Sequence, residues 1–134
     1  MTVRIESLAF YPIKGCHRVE CEGAELLSTG LRHDREWMIV ELDGKFITQR
    51  TDAVLATLLP AIDAEGQALK VTAPGRAALR VPFAAQGNRC TVRVWKDVCE
   101  AVDQGDEAAE WFSALIGRPL RIGILNIMPH AEDY

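Results

Sequence analysis

Turn-forming pairs recur along this chain at intervals too short for long helices, and that spacing limits what it can fold into. Asp43-Gly44 divides the β-prone runs 36–42 and 45–49, where Gly supplies the positive φ of a type I′ hairpin turn. Glu65-Gly66 and Pro74-Gly75 separate the runs 58–62, 68–72 and 78–81. Lys96-Asp97 turns the alternating stretch 91–95 back into 98–102. Upstream, 3–13 and 18–27 read as strands, the second with a bulge at Gly23 where the apolar alternation slips. One segment follows a different period: Ala108, Trp111, Phe112, Leu115 and Ile116 recur at helical spacing. Asp103 and Asp106 are its expected N-terminal caps, Gly117 its left-handed stop, and Pro119 forbids continuation. A strand over 120–125 follows, and a shorter helix is expected over 52–58 with Thr51 or Asp52 as cap. The whole predicts a mainly β fold: an antiparallel β-barrel over residues 1–125, with one helix at about 106–116 against an end or side. Residues 126–134 carry no convincing element and read as a tail or the start of a linker.

The chain's 134 residues suit one domain, and 49% hydrophobic residues build its core without staples. The net charge of −4 argues against wholesale binding of nucleic acid or an anionic membrane. Cys16, Cys21, Cys90 and Cys99 make no CxxC pair, and no His stands at zinc-site spacing from them, so no metal site is expected. Cys90 and Cys99 sit inside strand-like runs as small hydrophobes. With no export signal at the start, four free thiols in a reducing cytoplasm are the expectation.

Two segments concentrate chemistry. Tyr11-Pro12-Ile13-Lys14-Gly15-Cys16 ends an apolar run on a Pro and opens a Lys-Gly turn; Gly30-Leu31-Arg32-His33-Asp34-Arg35-Glu36-Trp37 runs a charged loop into an apolar strand. Cations at strand ends are poor core material and good anion ligands. Lys14 is a compact charge beside a glycine that allows close backbone approach, set against the reading of a solvated turn lysine. Arg35 offers a bidentate fork. Neighbours on a strand point to opposite faces, which makes ion pairing of Arg35 with Asp34 or Glu36 a poor alternative. Arg32 and Asp34 are read as loop-positioning residues. Arg50 either joins Lys14 and Arg35 or caps strand-end carbonyls, and Thr48 and Gln49 are hydrogen-bonding candidates beside it. His17 and His33 have no nucleophile or metal partner and read as ordinary loop histidines; Trp37, Trp95 and Trp111 read as core. No nucleophile–base–orienter set exists, so no residue is assigned a catalytic role.

Five blocks stand in order: Tyr-Pro-Ile-Lys-Gly, Gly-Leu-x-x-Asp-Arg-x-Trp-Met, Phe-x-Thr-Gln-Arg, Val-Trp-x-Asp-x-Val-x-Ala-x-Asp, and Gly-Asp-x-Ala-Ala-x-Trp-Phe-Ser-x-x-x-Gly-Arg-Pro. Over residues 3–124 the chain thereby resembles the N-terminal β-barrel domain of MOSC proteins, which include the amidoxime-reducing components. The resemblance implies an accessory domain of a molybdenum-cofactor (molybdopterin) oxidoreductase that reduces N-hydroxylated compounds. Lys14, Gly15, Arg35 and Arg50 would bind the cofactor phosphate and the barrel would shape the substrate entrance. A family Ser often follows the Lys; Gly15 stands there, so that hydroxyl contact is lost. The metal-ligating Cys belongs to the MOSC domain, a partner in cis or in trans, with an electron-transfer protein as a further partner. No molybdenum retention or turnover is expected of the chain alone, and none of its four cysteines takes the ligand role. The alternative is a stand-alone barrel that binds a small anionic ligand or a protein partner without redox chemistry.

Overall fold

The computed structural model describes residues 2–27, 30–65, 67–83, 88–94 and 97–125. In chain order the strands are β1 (Leu8–Phe10), β2 (Val19–Cys21), β3 (Leu26–Leu27), β4 (Gly30–Leu31), β5 (Trp37–Glu41), β6 (Leu59–Asp63), β7 (Ala68–Thr72), β8 (Leu79–Pro82), β9 (Arg89–Val94), β10 (Asp97–Asp103) and β11 (Leu120–Leu125). The helix α1 (Asp106–Ile116) lies between β10 and β11, and a 3-10 turn spans Ala53–Thr57. The mainly β, antiparallel expectation holds, with a refinement: the strands form four separate sheets, β1-β2, β3-β4, β6-β7-β8 and β5-β11-β10-β9, and not one closed barrel.

The four-stranded sheet organises the molecule. Its first strand is apolar on every residue from Trp37 to Val40, and alternation sends Trp37 and Ile39 to one face, Met38 and Val40 to the other. The larger core forms on the first face, where Ile13, Leu55, Leu58, Leu69, Val71, Phe112 and Ile122 join them. Sheet β6-β7-β8 and the Ala108–Phe112 side of α1 contribute to this cluster. On the second face, Met38, Val40, Phe46, Val92 and Ala101 enclose a narrower core, flanked by half-buried Cys90, Cys99 and Leu125. Small residues fit its width: a Cβ on Gly123 would stand 3.1 Å from the Ala101 Cβ.

Between β5 and β9, the edges of that sheet, runs a segment that touches both. Phe46 bridges Val40 antiparallel and Lys45 bridges Arg93 in parallel, so the sheet curls toward itself through two residues. The turn that delivers them differs from the expected type I′. Among the residues of positive φ is Gly44, at 91°, but not Asp43, and the Glu41 amide donates to the Lys45 carbonyl. That is a three-residue loop ending on a left-handed glycine. Its glycine is obligatory on a second count, because a Cβ there would lie 2.3 Å from the Thr91 carbonyl oxygen.

Several local expectations need correction. The run 3–13 is strand only over Leu8–Phe10, and Gly23 falls between β2 and β3 as a break, not a bulge. The N-cap of α1 is Gly105; Asp103 and Asp106 instead grip Arg121. Gly117 does stop the helix, left-handed at φ 91° with its amide donating to the Ser113 carbonyl. Asp52 is the N-cap of the 3-10 turn but makes no side-chain cap bond. The expectations for Trp95, the Lys96 turn and the tail 126–134 lie outside the described residues.

Candidate functional site

The two charged segments meet through their backbones. The Arg35 amide donates to the Tyr11 carbonyl at 2.5 Å, the Trp37 amide to Pro12 at 3.0 Å, and the Lys14 amide to Trp37 at 3.0 Å. Ile13 and Trp37 form a parallel bridge at the centre of this contact, and both are fully buried. The pairing at this point is parallel, unlike the antiparallel ladders of the sheets. Asp34 ties the segments a second time: its Oδ1 accepts the Tyr11 amide at 2.8 Å.

The loop between β4 and β5 is held under strain. His33 and Arg35 both have left-handed backbones, φ 67° and 53°, a conformation that costs a non-glycine residue about 1–3 kcal/mol. His33 is fixed by Glu36, which accepts from its backbone amide at 3.0 Å and meets its Nδ1 at 3.2 Å, and its ring lies against Trp37 and Phe83. This is the structural role expected of a loop histidine. Arg32 is likewise structural, ion-paired to Glu25 at 2.8 Å. The left-handed turn overturns one expectation: Arg35 Nη1 does pair with Asp34, at 2.7 Å. Strand alternation does not apply inside a turn. One N–H is spent there, and the guanidinium has four more. Its Cζ stands 5.1 Å from the centre of the Tyr11 ring.

Lys14 makes no ion pair among the described residues, and its Nζ lies 5.1 Å over the Phe46 ring. Gly15, at φ 91°, turns the chain beneath Leu55. That turn is clamped from the far side, where Gln49 Nε2 donates to the Gly15 carbonyl at 2.7 Å. Thr48 and Thr51 close the turn around Gln49 and Arg50: the Thr48 Oγ1 accepts the Arg50 amide at 3.2 Å, and the Thr51 hydroxyl donates to Asp52 at 2.8 Å. Asp52 in turn is held by Arg118, which bridges it at 2.5 Å and Glu41 at 2.6 Å. Arg118 belongs to the Gly-Arg-Pro block, and sequence alone gives no sign of its two partners.

Arg50 and Phe46 line a cleft of about 830 Å³ with Lys45, Thr48, Asp43 and Arg93. Its floor is the segment that bridges β5 to β9. Among the described residues, no three of the His, Cys, Asp and Glu side chains group to hold a metal. All four cysteines are free thiols, and burial pushes the Cys16 thiol up to about 12. No helix of the described residues is long and apolar enough to cross a membrane.

Curled antiparallel sheets with helix α1, and two cation-bearing motifs laced together through their backbones, define a small β domain of the barrel-like class. The chain belongs to the MOSC N-terminal beta barrel domain family, whose model matches residues 2–119. Among curated relatives it is 34% identical over 116 residues to the molybdenum cofactor sulfurase of Drosophila grimshawi, covering 82% of this chain and 15% of that protein. It is 31% identical over 121 residues to the Bos taurus molybdenum cofactor sulfurase, covering 88% of this chain and 14% of the relative. The chain thus spans about 15% of the length of the curated relatives it matches. A solution structure of a Bordetella bronchiseptica protein has the same fold, with a TM-score of 0.63 and 22% identity over 88% of each chain.

Proposed function

We propose that this chain is the accessory domain of a molybdenum-cofactor oxidoreductase. In this reading Lys14, Gly15, Arg35 and Arg50 take the phosphate of the cofactor's pterin, and the surrounding surface lines the substrate entrance. The sulfurase relatives carry the cofactor in their name, and the amidoxime-reducing proteins that the motifs resemble use it to reduce N-hydroxylated compounds. The observation that carries the reading is the lacing of Tyr11, Pro12 and Lys14 onto Arg35 and Trp37. It brings motifs twenty-one residues apart into adjacent backbone.

The residues suit a phosphate. Lys14 has no carboxylate partner among the described residues, Gly15 gives the turn that presents it, and Arg35 keeps unspent donors. When bound, the cofactor supplies the redox-active molybdenum; this chain supplies charge and orientation. Lys14 provides a point charge from a clamped turn, and Arg35 provides a fork from a loop that His33 and Glu36 hold rigid. The molybdenum ligand comes from a MOSC domain in cis or in trans, and the electrons from a transfer partner. A reducing cytoplasm fits the four free thiols.

Inorganic phosphate titrated into the labelled chain should shift the NMR signals of Lys14 and Arg35 together. Charge-assisted contacts contribute about 1.5–3 kcal/mol each. Lys14→Ala or Arg35→Ala should therefore weaken cofactor retention in the full-length enzyme by about tenfold or more. Arg35→Lys should lose affinity too, since a point charge does not replace a planar fork. Unchanged retention in both alanine variants overturns the reading.

A further inference from the structure

The cations of this molecule divide sharply. Among the described residues, Arg4, Arg18, Arg32, Arg35, Arg80, Arg89, Arg93, Arg118 and Arg121 all have a carboxylate within salt-bridge distance. Lys14, Lys45, Arg50, Lys70 and Arg76 do not. Three of these five stand around one side chain: Lys14 over the Phe46 ring, Lys45 and Arg50 with Phe46 along the wall of the cleft. Arg93 lines the same cleft and is tied to Asp43 at 2.9 Å. Among the described residues, Lys45, Arg50 and Arg93 against Asp43 make the cleft lining net +2, three minus one, in a chain of net −4. A concave surface of one sign concentrates counter-ions of the other.

Lys14 does not line this cleft. Phe46, mostly buried, forms a wall of the cleft and meets Lys14 with its ring. The cleft is also far roomier than a phosphate needs: its 830 Å³ falls in the range of small-molecule sites, about 300–1,000 Å³. Its floor is rigid. The Arg93 amide donates to the Gly44 carbonyl at 2.8 Å, the Phe46 amide to the Arg93 carbonyl at 3.2 Å, and the Lys45 amide to Asp43 Oδ1 at 2.9 Å. Free cations on a fixed floor beside an aromatic wall select a dianion joined to an apolar body.

We infer that this cleft is a second small-molecule site, separate from the Lys14–Arg35 grip, and that it takes a phosphate monoester with an aromatic or apolar body. Lys45 and Arg50 receive the phosphoryl oxygens; Phe46 and the aliphatic stem of Arg93 receive the body. Arg50 serves in both readings, so the test turns on Lys45.

The probes are phenyl phosphate, inorganic phosphate and benzoate, each titrated into the labelled full chain. Phenyl phosphate should shift the Phe46 ring and the Lys45 and Arg50 side chains, and bind at least about fivefold tighter than either other probe. Lys45→Ala, an exposed substitution, should weaken phenyl phosphate by about tenfold and leave the phosphate response of Lys14 and Arg35 intact. Three results overturn the site: phenyl phosphate no tighter than inorganic phosphate, affinity unchanged in Lys45→Ala, or shifts confined to Lys14 and Arg35. Benzoate binding as tightly as phenyl phosphate overturns the phosphoryl assignment. Responses at Lys45 without any at Lys14 would support this site and count against the cofactor-phosphate grip instead.

Discussion

At the α1 end of the central sheet Arg121 is spent on the fold; at the Phe46 cleft Arg93 is tied to Asp43, but Lys45 and Arg50 have no carboxylate partner among the described residues. Arg121 reaches Asp103 with two nitrogens, at 2.5 and 2.7 Å, and Asp106 with one of them at 2.9 Å. Asp103 is mostly buried, and its Oδ1 also accepts the Gly105 amide at 2.8 Å, fixing the turn into the helix. Arg121 thereby ties β10, α1 and β11 together. Lys45 has the same charge and stands on the same sheet's rim, but its side chain makes no ion pair among the described residues. A charge tied to several carboxylates serves the fold; one kept unpaired on a rigid floor, or paired through a single nitrogen as Arg35 is, has donors left for a ligand. Stability measurements and binding measurements should therefore respond to different residues.

The largest effect tests that division directly. Arg121→Ala leaves Asp103 with its carboxylate stripped of the guanidinium, and should lower unfolding free energy by about 2–3 kcal/mol. Lys45→Ala should stay within about 0.5 kcal/mol of the parent. Urea denaturation of the two variants side by side is the check, and equal losses would break the comparison.

A second, smaller effect is in pH. The hydrogen bond from Arg121 holds the Asp103 carboxyl below the usual carboxylate range, against the opposing pull of burial. A depressed folded-state value makes its contribution complete above the unfolded value, about 3.9, and lost as pH falls through the folded one. The margin of the parent over Asp103→Asn should accordingly be widest near neutrality and shrink toward pH 3 in urea titrations. A margin constant with pH would show that Asp103 acts by packing alone.

The finest probe is a thiol. Burial raises the Cys90 pKa, the Asp103 charge raises it further, and Arg121 lowers it. Native-state alkylation of Cys90 at pH 8 should be slower than that of a free cysteine. It should quicken in Asp103→Asn and slow further in Arg121→Ala, while Lys45→Ala leaves it unchanged. Cys16, raised to about 12 by burial, should react only on unfolding.

How far the sequence spoke depended on how far its contacts reach. Helix α1 and strands β7, β9, β10 and β11 follow from periodicity and neighbouring turn residues, because their signals are local. The bridging pair Lys45-Phe46 was legible only as a hairpin arm, since its second neighbour, Arg93, comes nearly fifty residues later. Arg35 illustrates a different obstacle. Its left-handed backbone is imposed by the lacing to Tyr11 and the Glu36–His33 clamp, and no glycine announces it, so strand logic misjudged its pairing with Asp34. Of the candidate anion ligands, Lys14 and Arg35 were visible as strand-end cations in recognisable motifs. Lys45 was not, because its distinction is the absence of a partner, which only the fold defines. Arg118 lay unread for the same reason, its two carboxylates being 66 and 77 residues away.

The order of strands in the central sheet has a consequence for synthesis. Among its four strands β5 is made first and β11 last, yet they are hydrogen-bonded neighbours, with Trp37 opposite Ile124. The intervening β6-β7-β8 meander and the β9–β10 hairpin close over short stretches and can form as they emerge from the ribosome. Strand β5 cannot. Its apolar Trp37–Val40 run must wait for Leu120–Leu125 to leave the exit tunnel before one of its edges is covered. A ribosome that slows while Leu120–Leu125 is still inside the tunnel would thus leave the wholly apolar Trp37–Val40 run open to wrong partners, and chaperone demand should concentrate at that stage.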